Sequence, residues 1–192
     1  AHGYGIPLIA DSAHGAHLPI SKRADVTVVS LHKTLPAMTQ VSAVLLNGDL
    51  VDPEDIKRYI NIYQTTSPSY VLMASAEKCL DIMENEGEKR KADLKERINR
   101  LYDLNRRLRR LWLTGPEFKG KYGINDFDMS RINLFDRTGR TDGKGLYDIL
   151  RKEYRLQPEK HTGNTCLLIS GIMDTEEGFR RLEDAILSID RK

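Results

Sequence analysis

The sequence predicts an α/β protein in which a mostly parallel sheet is followed by a smaller α+β domain. Two short apolar runs, at residues 6–10 and 26–29, have the β-branched composition of buried strands. Helical spacing of apolar residues then dominates from residue 53 to residue 112. Beyond residue 126 strand and helix patterns alternate again, which indicates a second, smaller layer of sheet and helices.

Each of the first two predicted strands ends on side chains that can do chemistry. The run at 6–10 ends on Asp11, and the run at 26–29 leads into Ser30, His32 and Lys33. Open α/β sheets place their ligands at the carboxyl ends of the strands, so an Asp and a Lys are expected at one rim. A carboxylate can keep a pyridinium nitrogen protonated, and a lysine amine condenses with an aldehyde cofactor.

A third strand is predicted at residues 41–46. The connection to it, residues 31–40, is about ten residues long and contains Pro36. A parallel crossover needs about a dozen residues or more, mostly as helix. The third strand is therefore expected to run antiparallel to the second.

Two helices are predicted next. Asp52 and Pro53 mark the start of the first, and Ser67-Pro68-Ser69 opens the second. Gly87 is expected to interrupt the pattern, and a long charged helix is expected from residue 88 to residue 112. Arginines at 106, 107, 109 and 110 are interpreted as its solvated face, because no aromatic residues alternate with them as a nucleic-acid surface would require.

The remaining chain predicts a linker at residues 115–126, strands at 129–135 and 166–170, a helix at 142–153 and a last helix that begins at 174–177. Its apolar residues are Phe179, Leu182, Ile186 and Ile189. The predicted organisation is a cofactor-lysine half of a large domain at 1–87, a connecting helix at 88–114 and a small α+β domain at 115–192.

Composition excludes some classes of function. A formal net charge of +2 with 30% charged residues favours neither nucleic acid nor a membrane surface as a partner. No apolar run approaches the roughly 20 residues that cross a bilayer. Cys79 and Cys166 are far apart and lack metal-like spacing, so both are predicted to be free thiols in the cytoplasm.

The motifs Asp11-Ser12-Ala13-His14-Gly15-Ala16-His17 and Ser30-Leu31-His32-Lys33-Thr34 together resemble the pyridoxal 5'-phosphate (PLP) enzymes of the aspartate-aminotransferase fold. Within that fold they resemble the ornithine/lysine/arginine decarboxylases. The resemblance implies PLP as cofactor and decarboxylation of arginine, lysine or ornithine to a diamine or polyamine precursor. It also implies a homodimer or a higher homo-oligomer.

By this resemblance Lys33 would bond to the cofactor aldehyde, and Asp11 would hold the pyridine nitrogen. Ala13 would lie against the ring face with His14 nearby. Ser30 and His32 would contact the cofactor phosphate or the substrate carboxylate. His32 is also an alternative to Lys33 as the proton donor to Cα.

Three weaker candidates follow from the same resemblance. Thr66 and Ser67 would reach the phosphate of the partner subunit's cofactor, with a plain helix cap as the alternative. Arg131 would bind the substrate α-carboxylate, with a surface salt bridge as the alternative. The family's phosphate loop and ring-stacking residue match nothing here, so the chain looks like the C-terminal part of a longer enzyme and is not expected to be active by itself.

Other interpretations compete with this one. A zinc site could be drawn from Asp11 and four histidines (His2, His14, His17 and His32), but their spacing matches no metal signature, and no metal is expected. Another reaction on the same cofactor, transamination or elimination, would use Asp11 and Lys33 equally well. A non-catalytic interaction protein with the same fold is the third alternative.

Overall fold

The computed structural model describes residues 1–18 and 24–192, in two compact units, Ala1–Lys91 and Ala92–Lys192. The first unit contains strands β1 (Ile9–Asp11), β2 (Val26–Ser30) and β3 (Ser42–Leu46), with helices α1 (Leu31–Thr34) and α2 (Pro53–Tyr63). Helix α3 (Tyr70–Asp103) contains the boundary between the units. The second unit contains β4 (Leu111–Thr114), β5 (Arg131–Asp136), α4 (Gly143–Tyr154), β6 (Lys160–Thr162), β7 (Thr165–Ile169) and α5 (Glu176–Arg191).

The sheet of the first unit has the order β1-β2-β3. Strand β1 is parallel to β2, with Asp11 opposite Val28, and β2 is antiparallel to β3. Both orientations confirm the prediction. The Ser12 amide donates to the Val28 carbonyl at 2.8 Å, so the parallel pairing continues just past the end of β1.

Helix α3 covers one face of this sheet. Val29, Leu31, Val41 and Cys79 form a buried cluster, and Leu72 and Ala76 of α3 pack against it. The other face has apolar side chains that are more than a third exposed, and these are Ile9, Val28, Val44 and Leu46. The buried cluster of the first unit therefore lies on the face that α3 covers.

Helix α2 begins where the sequence predicts. The Asp52 carboxylate accepts a hydrogen bond from the Glu54 amide at 2.9 Å, and Pro53 occupies the first turn. A carboxylate at this position satisfies an amide that has no partner within the helix. The next helix contradicts the prediction, because Gly87 does not interrupt it: α3 is continuous from Tyr70 to Asp103.

Packing explains why Gly87 is tolerated. Glycine inside a helix costs only about 1 kcal/mol relative to alanine. A Cβ built on Gly87 would lie 3.1 Å from Cε of Met83, so the missing side chain makes room for that methionine. Glycine here serves close packing within a helix and does not end it.

The predicted helix at residues 88–112 is also wrong at its C-terminal end. Helix α3 ends at Asp103, a 3₁₀ turn covers Leu104–Arg106, and Trp112 lies on strand β4. The Asn105 side chain causes part of this reversal, since it donates to the Leu113 carbonyl at 2.7 Å and accepts from the Leu113 amide at 2.9 Å. Asp190 of α5 accepts from the amides of Arg109, Arg110 and Leu111.

The sheet of the second unit has the order β4-β5-β7-β6, with every neighbouring pair antiparallel. Strands β5 and β7 lie within two residues of their predicted positions, whereas β4 and β6 were not predicted. Alternate residues of β5 and β7 are buried, and these are Ile132, Leu134, Cys166 and Leu168. This alternation is typical of a sheet that is covered on one face.

Both C-terminal helices start on side-chain caps. The Asp142 carboxylate accepts from the Gly145 amide at 2.7 Å, and the Thr175 hydroxyl accepts from the Gly178 amide at 3.1 Å. The last cap is therefore Thr175, the second residue of the predicted capping segment. The predicted apolar residues of α5 are buried, which confirms that part of the prediction. Cys79 and Cys166 are free and buried, as predicted.

A buried ion pair joins β4 to β5. Nη2 of Arg110 lies 2.8 Å from Oδ2 of Asp136, whose side chain is fully buried. Burial alone would raise the pKa of Asp136, but hydrogen bonds from Arg110 and Thr138 outweigh it and hold that pKa below its ordinary value.

No helix described in residues 1–18 and 24–192 is both long and apolar enough to span a bilayer.

Replacing Asp136 with Ala should destabilise the second unit by about 3–5 kcal/mol, because Arg110 is left buried without its counter-charge. Urea unfolding followed by the fluorescence of Trp112, the single tryptophan of the chain, measures this directly. Asp148→Ala is the matched control, since Asp148 pairs with Lys144 at 2.7 Å on the surface. The control should leave the unfolding midpoint nearly unchanged, and equal effects of the two substitutions would contradict the assignment.

Candidate active site

The turn after β1 meets the helix after β2. Lys33 lies on α1 with its side chain exposed, and Nζ of Lys33 lies 3.3 Å from Nε2 of His14. His14 belongs to the turn that follows Asp11. Because β1 and β2 are parallel, their carboxyl ends share one edge of the sheet, and the expected rim is present.

Asp11 is held by its own turn. Oδ1 of Asp11 accepts a hydrogen bond from the Ala13 amide at 3.0 Å, an arrangement that is common for Asp at turns. The carboxylate therefore stays at the rim and exposed, with Ala13 and His14 immediately beyond it. The structure thus places Asp11, Ala13, His14 and Lys33 on two adjoining segments.

Ser30 and His32 lie on either side of the strand-to-helix junction. Ser30 is buried at the end of β2, opposite Ser42 of β3. Nδ1 of His32 lies 2.9 Å from the Val41 carbonyl, which also accepts from the Leu31 amide at 3.0 Å. A carbonyl can only accept, so Nδ1 of His32 carries the proton, and Nε2 is left for other contacts.

Thr66 and Ser67 lie in the exposed segment between α2 and α3. The Ser67 amide donates to the Thr65 hydroxyl at 3.1 Å. The hydroxyl at the start of α3 belongs to Ser69, which lies 3.5 Å from the Leu72 amide. Ser69, and not Ser67, therefore occupies the capping position of α3.

Arg131 lies in the second unit, at the start of β5. Nε of Arg131 lies 3.5 Å from Oδ2 of Asp128, and the Arg131 side chain is 19% exposed. The ion pair that the sequence offers as an alternative is therefore present.

Sequence reasoning missed Asp25, which organises the opposite end of the same strands. Asp25 is buried, and its Oδ2 accepts from the Leu8 amide at 2.7 Å and lies 2.8 Å from Nε2 of His2. The hydrogen bond from Leu8 and the contact with His2 lower the pKa of Asp25. An acidic residue directly before a buried strand was the available signal.

The histidines of the zinc alternative are in different surroundings. His2 contacts Asp25, His14 contacts Lys33, and His32 contacts the Val41 carbonyl. In residues 1–18 and 24–192 there is no group of three or more His, Cys, Asp or Glu side chains that could hold a metal ion.

Comparison with known structures identifies the fold. The lysine decarboxylase LdcF of Francisella novicida superposes with a TM-score of 0.75 at 20% identity, covering 96% of this chain and 32% of that one. A PLP-bound phosphoserine aminotransferase of Trichomonas vaginalis gives a TM-score of 0.66 at 15% identity, covering 94% and 53%. The fold is therefore the one shared by aminotransferases and basic amino acid decarboxylases.

The family model for the major domain of Orn/Lys/Arg decarboxylases matches residues 1–166. The chain therefore belongs to the ornithine/lysine/arginine decarboxylase family, as the two motifs predict. An arginine decarboxylase of Bacillus subtilis is 24% identical over 198 residues, covering 98% of this chain and 40% of that protein. An uncharacterised protein of the same bacterium is 40% identical over 112 residues, which is 53% of this chain and 23% of that protein.

The chain spans about 40% of the length of the arginine decarboxylases that it matches over almost all of its own length. Activities named for those proteins belong to chains more than twice as long. What the present residues do in such an activity is therefore a matter of proposal.

The pKa of Asp25 should respond to His2 in a graded way. His2→Ala should raise that pKa only part of the way to the ordinary 3.8, because the Leu8 amide, which is the larger cause, remains. A ¹³C NMR titration of the Asp25 carboxyl carbon measures both values, with His161→Ala as the control.

The stability of the first unit should follow the same ionisation. A lowered pKa means that the Asp25 contacts stabilise the fold fully above pH 3.8 and lose that effect as pH falls through the folded-state value. An Asp25 pKa at or above 3.8 in the unsubstituted chain would contradict the hydrogen bond from the Leu8 amide to the Asp25 carboxylate.

Proposed function

We propose that this chain supplies the cofactor-binding lysine and the ring-nitrogen carboxylate of a longer PLP-dependent decarboxylase of arginine, lysine or ornithine, which forms a diamine or polyamine precursor. One observation supports this most directly. The parallel pairing of β1 and β2 brings the turn after Asp11 into contact with Lys33 through His14, at 3.3 Å. Family membership supports the class of substrate.

The residues at this rim have the chemistry that PLP requires. Lys33 offers an exposed amine, Asp11 an exposed carboxylate, and Ala13 a side chain small enough to lie against a ring. When bound, PLP withdraws electrons from Cα of the amino acid, so that the bond to the carboxylate can break. Asp11 would maintain that withdrawal by keeping a proton on the ring nitrogen.

Lys33 would have two tasks. Its amine would hold the cofactor through the aldehyde, and as a free amine it would return a proton to Cα of the substrate. His14 holds the Lys33 amine next to the turn that follows Asp11. The two groups would then act at opposite ends of the cofactor ring. His32 is the second candidate donor, because the Val41 carbonyl fixes its Nδ1 proton and leaves Nε2 for the substrate side.

The outer contacts belong to the same proposal. Ser30 would contact the phosphate from the end of β2. Thr66 and Ser67, exposed ahead of α3, would reach the phosphate in the partner subunit of a homodimer. Arg131 would exchange its partner Asp128 for the substrate α-carboxylate, since a guanidinium binds a carboxylate through two hydrogen bonds. We place the enzyme in the cytoplasm.

Replacing Lys33 with Ala should abolish carbon dioxide release from arginine, lysine and ornithine in the complete enzyme, while the fold is kept. Loss of proton transfer alone reduces rates by about 10²–10⁴-fold. Borohydride treatment should fix a pyridoxyl group on the Lys33 peptide of the unsubstituted enzyme, as read by mass spectrometry. Lys57→Ala, on the exposed surface of α2, is the matched control and should remain active.

Product analysis with labelled substrate separates decarboxylation from the other PLP reactions. Carbon dioxide with the corresponding amine supports the proposal, whereas an oxo acid would indicate a transaminase on the same fold. A Lys33→Ala enzyme that decarboxylates at a near-normal rate would remove the basis of the assignment.

Asp11→Asn should lower kcat far more than it lowers affinity for PLP. The amide oxygen can still accept the hydrogen bond from the Ala13 amide, so the turn is retained. The neutral amide cannot hold the proton on the ring nitrogen, and the loss is felt mainly in the transition state. Stopped assays for kcat and equilibrium dialysis for PLP separate the two effects, with Asp55→Asn as the control. An equal loss in both quantities would make Asp11 a simple anchor.

A further inference from the structure

The second unit contains an open groove, and none of its lining residues belongs to the site proposed for decarboxylation. It has a volume of about 510 Å³ and is lined by Asn105, Arg106, Trp112, Phe135 and Arg137. Volumes of this order are typical of sites for small molecules. The groove combines two aromatic rings with two guanidinium groups.

Trp112 and Phe135 form one wall. They are directly opposite each other on β4 and β5, so their side chains share one face of the sheet. Both are only partly buried, on the face opposite the buried Leu134 and Ile132. Phe118 contacts Trp112 at a ring distance of 5.9 Å and supports its position.

Arg137 makes a cation–π contact with Trp112. Its guanidinium carbon lies 5.1 Å from the centre of the Trp112 ring. A cation–π contact of this kind positions the guanidinium without occupying it in an ion pair, so its N–H groups can still donate to an anion. Within residues 1–18 and 24–192 no carboxylate forms an ion pair with Arg137, so this oriented charge has no protein counter-charge in that part of the chain.

Arg106 supplies the second charge. Its Nη2 lies 3.3 Å from Oδ1 of Asp103, but both side chains are largely exposed, at 83% and 61%. Ion pairs of this kind contribute little and are easily exchanged for a competing anion. The side-chain amide of Asn105, in contrast, is used by the backbone of Leu113, to which it donates one hydrogen bond and from which it accepts another. Asn105 therefore lines the groove without adding a charge.

We infer that this groove binds a small phosphorylated organic molecule. The phosphate monoester would lie between Arg106 and Arg137, and an apolar or aromatic group would lie against Phe135. Two guanidiniums match a group that carries a charge of about −1.5 to −2 and several acceptor oxygens better than they match a single carboxylate. The arginines that sequence analysis assigned to a solvated helix face therefore include one that lines a site.

Phenyl phosphate is a suitable probe because it carries both features. Calorimetric titration of the 192-residue chain should show saturable binding of one equivalent, together with a change in Trp112 fluorescence. Inorganic phosphate should bind about tenfold more weakly because it lacks the contact with Phe135, and phenol should not bind measurably. Arg137→Gln should weaken phenyl phosphate by about tenfold or more, as should Arg106→Gln.

Arg140→Gln is the charge-matched control, since Arg140 is an exposed arginine near the end of β5 that does not line the groove. It should change the affinity less than about twofold, and unchanged circular dichroism should accompany each variant. An equal loss in Arg140→Gln would show a diffuse charge effect and overturn the site. Equal binding of inorganic phosphate and phenyl phosphate, or no saturable binding, would overturn it as well.

Discussion

The parallel pairing of β1 with β2 is the constraint on which the proposed active site depends. Because the two strands are parallel, β2 begins at the end of the sheet where β1 begins, and a tight turn cannot join them. This end of the two strands is held by Asp25, whose carboxylate accepts a hydrogen bond from the amide of Leu8, just before β1. Asp11 and Lys33 therefore lie at the opposite, carboxyl end of the two strands. A slip of one residue would turn the side chain of Asp11 to the other face of the sheet.

The second unit depends on a different device, which protects its edge strand. Strand β4 lies at the edge of its sheet, where unpaired amides and carbonyls invite pairing with other chains. Asn105 occupies both backbone groups of Leu113, and Asp190 occupies the amide of Leu111. Burial raises the pKa of Asp190, but the hydrogen bonds from the amides of Leu111, Arg109 and Arg110 outweigh it and keep the pKa below its ordinary value.

The contrast between the units explains what could be predicted from sequence. The rim with Asp11 and Lys33 was predictable because Asp11 ends one short apolar strand and Lys33 lies three residues after the next. The direction of β3 followed from the length of its connection. The end of α3 was not predictable, because the apolar residues of 88–112 keep helical spacing beyond it. The contacts that end the helix come from side chains. Asn105 acts over eight residues and Asp190 over about eighty, and neither contact has a local signal.

The exposed charges of the proposed site also separate its function from its stability. Asp11 and Lys33 are exposed, whereas Asp25, whose carboxylate joins the segment before β1 to the start of β2, is buried. Leaving a charge in water avoids the cost of desolvation, so the fold gains little from these exposed side chains and loses little when they change. The charges are instead positioned by backbone contacts: Asp11 by the Ala13 amide, and the helix of Lys33 by the Val41 carbonyl. The proposed chemistry requires a lysine and a carboxylate at fixed positions on one edge of the sheet, and these backbone contacts provide that positioning.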